Sequence, residues 1–343
     1  MDITSSLKKI VKDPLLRLSL IFPIFLSIFP IIFPDETIIV WFVGANYVAI
    51  FAMALDFLLT SGYLSFGQQV FFAAAAYAVG MAYLYIGVPT GAGMVLGILA
   101  ALAFSLPVGI ACLRWRGPYL ILATSILPGF FSAIIGAARD WTGGYQELPG
   151  YLFPGRYIPA LVETPDWFLN TVISYYFSLA FMIASAIILI ALTYSKFGLI
   201  ISAIRENEIA AEACGINTTK YKTICFCISA IFAALAGAFY AGNVASTIAL
   251  DATTTGTRMM DAFFAILVGG MWSIVGAIGG VYVLTTIRYI ANELQYTWSL
   301  APYVGSIIVY STMVLIFYFM PHGLIRTIYM RLRYKFFSGK RGE

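Results

Sequence analysis

Ala203-Ile204-Arg205-Glu206-Asn207-Glu208-Ile209-Ala210-Ala211-Glu212-Ala213-Cys214-Gly215 stands inside a polar interval, Lys196 to Lys222, between two apolar stretches at 169–194 and 223–245. Each flanking stretch can cross roughly 30 Å of hydrocarbon as a helix, which takes about 20 residues. The block between them is rich in strong helix formers, and Gly215, followed by Asn217, can turn left-handed and end a helix without steric cost. The pattern predicts a span, a short aqueous helix at 198–214, and a second span. The chain is then a helical membrane protein with one polar helix built to meet a soluble partner.

Composition carries this reading outward from that block. Apolar residues make up 61% of the chain and charged residues 10%, with a mean hydropathy of +0.90, values that no soluble domain of this length would show. Apolar runs of spanning length recur throughout, without the alternation of a membrane barrel. The fold class is an all-α polytopic bundle. The spans drawn from hydropathy are 15–34, 38–60, 69–88, 91–112, 118–137, 169–194, 223–245, a long block at 262–290, and 301–320. Leu15 to Phe33 contains prolines and is followed by Asp35-Glu36 with no small-residue cleavage site, so it reads as a retained first span.

Basic residues set the expected orientation. Lys8, Lys9, Lys12 and Arg17 precede the first span; Arg114 and Arg116 share a short loop; Lys196, Arg205, Lys220 and Lys222 lie in the polar interval; Arg326, Arg331, Arg333, Lys335, Lys340 and Arg341 fill the tail. All four clusters are expected on the cytoplasmic side, and the acidic interval 138–168 outside. Nine spans would leave the tail on the wrong side. Parity is restored if 262–290 is broken at Gly269-Gly270-Met271-Trp272-Ser273, giving ten segments; a broken segment at membrane depth is tolerated only where protein or a water-filled cavity covers it. The organisation is then an interfacial helix at 1–14 with Lys8, Lys9 and Lys12 on one side, a transmembrane domain at 15–321 containing the loop 196–222, and a basic cytoplasmic tail at 322–343.

Small residues recur at helix-contact spacing in Gly93-x3-Gly97, Ala233-x3-Gly237-x3-Ala241 and Gly276-x3-Gly280, the last read as a possible dimer face. Catalysis has little to work with. His322 is the single histidine, and Cys112, Cys214, Cys225 and Cys227 have neither disulfide nor metal spacing. Gly339-Lys340-Arg341 lacks the upstream glycine and the hydroxyl residue of a phosphate loop. No catalytic, metal or cofactor site is therefore assigned, and nucleotide would be bound by another chain.

In order along the chain, Leu64-Ser65-Phe66-Gly67-Gln68 running into Phe71-Phe72 and Ala76-Tyr77-Ala78, then Arg116-Gly117-Pro118-Tyr119, Thr142-Gly143-Gly144, the block Ala203 to Gly215, and Gly269-Gly270 followed by Val275-Gly276 resemble the LivM-type permeases of branched-chain amino acid ABC importers. The resemblance covers roughly residues 38–325. It implies a plasma-membrane permease of a prokaryote, paired with a LivH-like second permease, two cytoplasmic ATPase subunits that hold ATP and Mg²⁺, and an external substrate-binding protein. Ala210-Ala211-x3-Gly215 looks like the EAA-type loop by which such permeases dock on their ATPase.

The residues of the loop allow that docking independently of the resemblance. Ala203, Ala210, Ala211 and Gly215 can seat closely in a partner's groove, while Arg205, Glu206, Asn207 and Glu208 supply polar contacts at its rim; the alternative is a solvated helix with an Arg205–Glu208 pair of a few tenths of a kcal/mol. A path for a zwitterion with an aliphatic side chain would draw on Ser65, Gln68, Thr124, Ser125 and the broken segment at Gly269 and Gly270. Asp56, where the family usually carries an amide, faces that path or caps a neighbouring helix end. Branched-chain amino acids are the expected cargo, with urea or another small amide as the alternative. An ATP-independent secondary transporter would want coupling carboxylates in several spans, and Asp56 stands nearly alone.

Overall fold

A computed structural model describes residues 26–30, 32, 34–88, 90–112, 118–144, 148–149, 167–244, 247–248, 250, 254, 256–297, 304–319 and 323. The interfacial helix expected at 1–14, most of the first span, the 114–117 loop, most of the 138–168 interval and nearly all of the tail lie outside the described residues. Within them the chain is helical, with one short antiparallel pairing of β1 (Leu148–Pro149) on β2 (Thr247–Ile248).

The first long helix, α1 (Glu36–Leu59), starts where Asp35 accepts the Thr37 amide at 2.9 Å and Glu36 adds charge to the first turn, both favourable at a positive helix end. It is followed by α2 (Gln68–Met81), which continues through a π turn at Ala82–Ile86 to a left-handed Gly87. Next come α3 (Thr90–Cys112) and α4 (Pro118–Ala137), which carry Pro107 and Pro128 internally. A single turn, α5 (Arg139–Thr142), precedes α6 (Trp167–Thr193). The polar interval holds α7 (Lys196–Glu206) and α8 (Glu208–Ala213), and α9 (Thr218–Phe239) returns through the bundle. Last are α10 (Thr257–Gly269), α11 (Ile274–Thr297) and α12 (Val304–Phe319).

Seven of these, α1, α2 with its π turn, α3, α4, α6, α9 and α11, are long and apolar enough to cross a membrane. The protein is an all-α polytopic membrane protein. The block at 262–290 breaks as read from its glycines: α10 ends at Gly269, Gly270 takes φ 107°, and Trp272 sits at φ 62°. With 13 residues, α10 reaches only about 20 Å and does not cross alone.

The core is built around α1, whose residues from Ala49 to Leu58 are buried on every face. It is enclosed by α6, α9, α10 and α11, while α2 packs between α3 and α9. The outer helices α3, α4 and α6 expose much of their apolar surface, as lipid- or partner-facing helices do. Buried polar groups join the central helices: the Asn46 amide donates to Ser178 Oγ at 2.8 Å, Tyr282 donates its hydroxyl to Asn46, and Ser229 Oγ donates to the Ala54 carbonyl at 2.6 Å. In lipid such bonds supply part of the attraction that hydrophobicity cannot.

All three small-residue stripes serve packing within this chain. A Cβ at Gly97 would lie 3.1 Å from the Ala75 carbonyl of α2; one at Gly237 would strike the Phe72 carbonyl; one at Gly280 would strike the Ala265 carbonyl of α10. The reading of Gly276 and Gly280 as a dimer face is therefore corrected. Both are buried where α10 and α11 meet backbone to backbone.

Candidate functional site

The polar interval folds as two helices rather than the single helix expected at 198–214. Ser195 caps α7, and Asn207 leaves helical space with φ −156° while its side-chain oxygen accepts the Ala210 amide at 3.0 Å. Asparagine competes with helix continuation in this way, capping the new helix as it interrupts the old. Gly215 behaves as read: at φ 82° it closes α8, with its amide on the Glu212 carbonyl and the Ile216 amide on the Ala211 carbonyl, the paired bonds of a Schellman ending.

The kink at Asn207 separates Arg205 from Glu208, so the ion pair of the alternative, solvated-helix reading does not form. Arg205 donates to Glu206 at 3.0 Å and lays its guanidinium over the Trp272 ring at 5.1 Å. Glu208 turns inward, paired with Lys222 and accepting the Tyr63 hydroxyl at 2.8 Å. The Lys222 ammonium lies over the Tyr63 ring at 4.5 Å and its side chain is only 2% exposed. Thr218 Oγ1 donates to Glu212 at 2.8 Å. Gly62 fits here because a Cβ would come within 3.2 Å of Arg205, and its φ of 81° favours glycine. The α7–α8 pair is thus fastened to the 60–67 loop, to the start of α9, and to the turn between α10 and α11.

Asp56 holds that last turn. Asp56 Oδ1 accepts the Trp272 amide at 2.8 Å and lies beside the Ser273 amide, the kind of contact the capping reading expects. Ser273 then caps α11 through the Gly276 amide at 3.1 Å. Asp56→Ala is expected to cost about 0.5–1.5 kcal/mol, the usual net worth of a hydrogen bond, and Asp56→Asn, which keeps an acceptor, clearly less. Thermal unfolding in detergent measures both, and equal loss from the two variants would refute the capping role.

The outer face of α7–α8 is left free. Ala203, Glu206, Asn207, Ala210, Ala213 and Gly215 are exposed, and Ile209 stands out at 70% exposure. Ala211, expected to seat in a partner, is instead buried at 6% against this chain. Ile209 takes its place as the protruding apolar group, which the alanine pattern did not reveal.

The proposed path residues fall into two places and one outlier. Ser65, Gln68 and Thr124 come together where the 60–67 loop meets α4: Thr124 Oγ1 bonds the Leu120 carbonyl at 2.9 Å and accepts the Phe66 amide at 3.2 Å, and Ser65 Oγ accepts the Gly67 amide at 3.2 Å. Gln68 is fully buried, and both ends of its amide lack a hydrogen-bond partner. Gly269 and Gly270 lie with Asp56 at the α10–α11 turn, packed under Gly276 and Gly323. Ser125 is exposed on α4 and bonded to its own helix at 2.8 Å.

One charged group escaped the sequence reading. Arg258 and Asp261 on α10 and Arg288 on α11 lie together: Arg288 grips Asp261 through both nitrogens of its fork, one at 2.6 Å, and Arg258 donates to the Tyr47 hydroxyl at 2.7 Å. The signal was present, because ionisable residues next to or inside an apolar segment mark function by default. Their pairing, across 27 residues, was not.

The described residues thus form a polytopic helical bundle with a polar helix pair fastened at one end. Residues 37–317 match the family described as branched-chain amino acid transport system / permease component, and the chain belongs to it. Among curated relatives, the guanosine ABC transporter permease protein NupQ of Bacillus subtilis is 30% identical over 64% of this chain and 70% of its own length. The high-affinity branched-chain amino acid transport system permease protein LivM of Salmonella typhimurium is 24% identical over 68% of this chain and 59% of its own. The autoinducer 2 import system permease protein LsrC of Yersinia enterocolitica is 26% identical over 61% and 57%. No solved structure matches. The chain is an ABC transporter permease component, a membership wider than the LivM branch, and its family associates with ATPase and substrate-binding partners.

Proposed function

We propose that this chain is a translocating subunit of an ABC importer for branched-chain, hydrophobic amino acids delivered by an external binding protein. In this reading it pairs with a LivH-like second permease, and two ATPase subunits dock on α7–α8 at the cytoplasmic face. The observation that carries it is the helix pair itself: rigidly tied to α1, α9 and α11 on its inner side, it presents Ile209 among small residues on its outer side.

Force can travel from such a surface without a further device. ATP binding closes the ATPase dimer and displaces α7–α8; Arg205 on Trp272 and Glu208 on Lys222 and Tyr63 carry the displacement to the ends of α11, α9 and α1, which then exchange access states. Gln68, with Ser65 and Thr124 beside it, is the group on the path whose unmet amide a passing polar solute or water would satisfy. Guanosine or a related nucleoside is the second reading, favoured by the 30% identity to NupQ; urea or a small amide has no such support.

The test uses tagged chain from detergent-solubilised native membranes and the intact importer in proteoliposomes with its binding protein. Wild type is expected to bring down ATPase subunits and a second permease, and Ile209→Asp to lose at least tenfold of the ATPase, because a charge forced into an apolar socket carries a hot-spot-sized penalty. ATP-driven leucine uptake supports the amino-acid reading. Guanosine uptake without leucine replaces it, and wild type that captures no ATPase removes the importer reading.

A further inference from the structure

The group formed by Arg258, Asp261 and Arg288 lines two adjoining cavities, one of about 220 Å³ between α1, α10 and α11 and one of about 500 Å³ on the α12 side; Trp41 borders both. Its depth follows from three helices. Tyr47 lies about 18 Å along α1 from Leu59, Arg258 about 17 Å along α10 from Gly269, and Arg288 about 21 Å along α11 from Ile274, at 1.5 Å per residue. Leu59, Gly269 and Ile274 all sit at the end of the bundle that carries α7 and α8. The cavities therefore lie about halfway along α1 and at the parts of α10 and α11 far from α7 and α8, well inside the bundle's apolar length.

Charge balance at this depth is incomplete. Asp261 is the one carboxylate acting on either guanidinium among the described residues, and Arg288 occupies it through both nitrogens. Arg258 rests on the rings of Tyr47 and Tyr240, at 5.8 and 5.2 Å, and bonds the Tyr47 hydroxyl. Among the described residues the cluster holds two cations and one anion, a net positive charge beside space for a small solute, and a guanidinium fork is suited to a carboxylate. Such a charge in a membrane is retained where it has a ligand, a pathway or a counter-ion.

We infer that this cavity is a way-station for the carboxylate of the cargo, with Arg258 as its binding residue and the Asp261–Arg288 pair as the frame that positions it. The inference rests on the amino-acid reading above and deepens it.

Arg258 is the residue to change, since its loss leaves the Asp261–Arg288 pair closed. The intact importer is assembled in nanodiscs of zwitterionic lipid, and Trp41, read as the difference between wild type and Trp41→Phe, reports on the cavity. Leucine is expected to change Trp41 emission saturably; Arg258→Gln is expected to abolish that change and to lower leucine uptake more than tenfold, and Arg258→Lys to keep a substantial part of both. Leucine uptake that survives Arg258→Gln overturns the site and leaves the amino-acid reading standing. A Trp41 response to added anionic lipid, with none to leucine, assigns the cavity to a headgroup and overturns it as well. Import of guanosine and not leucine by wild type removes the amino-acid reading and the site with it.

Discussion

Glu208→Ala is expected to lower stability by about 3–5 kcal/mol, the cost of stranding a buried charge by removing its partner. The stranded group is Lys222, whose side chain is 2% exposed while that of Glu208 is 20% exposed. With the carboxylate gone, the ammonium keeps, among the described residues, the face of Tyr63 at 4.5 Å, a weak substitute worth about 1–2 kcal/mol. The double variant Glu208→Gln with Lys222→Met is expected to recover most of the loss, because an uncharged pair of similar volume avoids the desolvation penalty and the new amide still accepts from Tyr63. Unfolding in detergent of the wild type, Glu208→Gln, Lys222→Met and the double closes the cycle. Additive losses would show that the two charges are separately solvated and that α8 is not held by this pair.

That pair also shows where sequence reading stops. Hydropathy placed the start of the span at 223, whereas α9 begins at Thr218, because Lys220 and Lys222 read as solvent-facing. Lys222 is buried, and only its partner on α8 makes that affordable. Long apolar runs, in contrast, declare themselves: 118–137 is α4, 91–112 is nearly α3, and 169–194 is nearly α6. The break at Gly269-Gly270 was legible because glycine pairs weaken a helix wherever they fall. The interruption at Asn207 was missed because it depends on one side chain choosing to cap rather than to continue.

The candidate site divides along the same line. Its outer face was visible as a stretch of alanines and charges ending in Gly215, and those residues do form the exposed helix pair. Its attachments were not visible, since Arg205 on Trp272, Tyr63 on Glu208 and Asp56 on the Trp272 amide join residues that are 67, 145 and 216 positions apart. The Arg258–Asp261–Arg288 group belongs to this second kind. Its members sat at the edges of apolar segments, where a single charge usually marks a boundary, and the α10–α11 hairpin alone brings them together.

The hairpin itself is the most sharply testable part of the fold. A Cβ at Gly280 would strike the Ala265 carbonyl oxygen, with the Ala265 carbonyl carbon at 2.8 Å and the Gly269 amide nitrogen at 2.9 Å. These are backbone atoms of a neighbouring helix, so no rotamer change can relieve the contact, and α10 must move away from α11. Gly280→Ala is expected to cost about 1–3 kcal/mol through this overpacking, and Gly280→Leu more. The consequence is not confined to α10. The same two helices carry the Asp261–Arg288 ion pair at one end and the Trp272 turn at the other, so separating them should disturb the cavity and the contact with Arg205 together. Gly129→Ala is the matched control, since nothing lies within 4 Å of the added carbon, and glycine to alanine within a helix gains about 0.5–1 kcal/mol. Unfolding of the two variants in detergent, followed with Trp272 emission, separates the cases. A Gly280→Ala protein as stable as the control would mean that α10 and α11 are not in backbone contact, and the hairpin would then have to be redrawn.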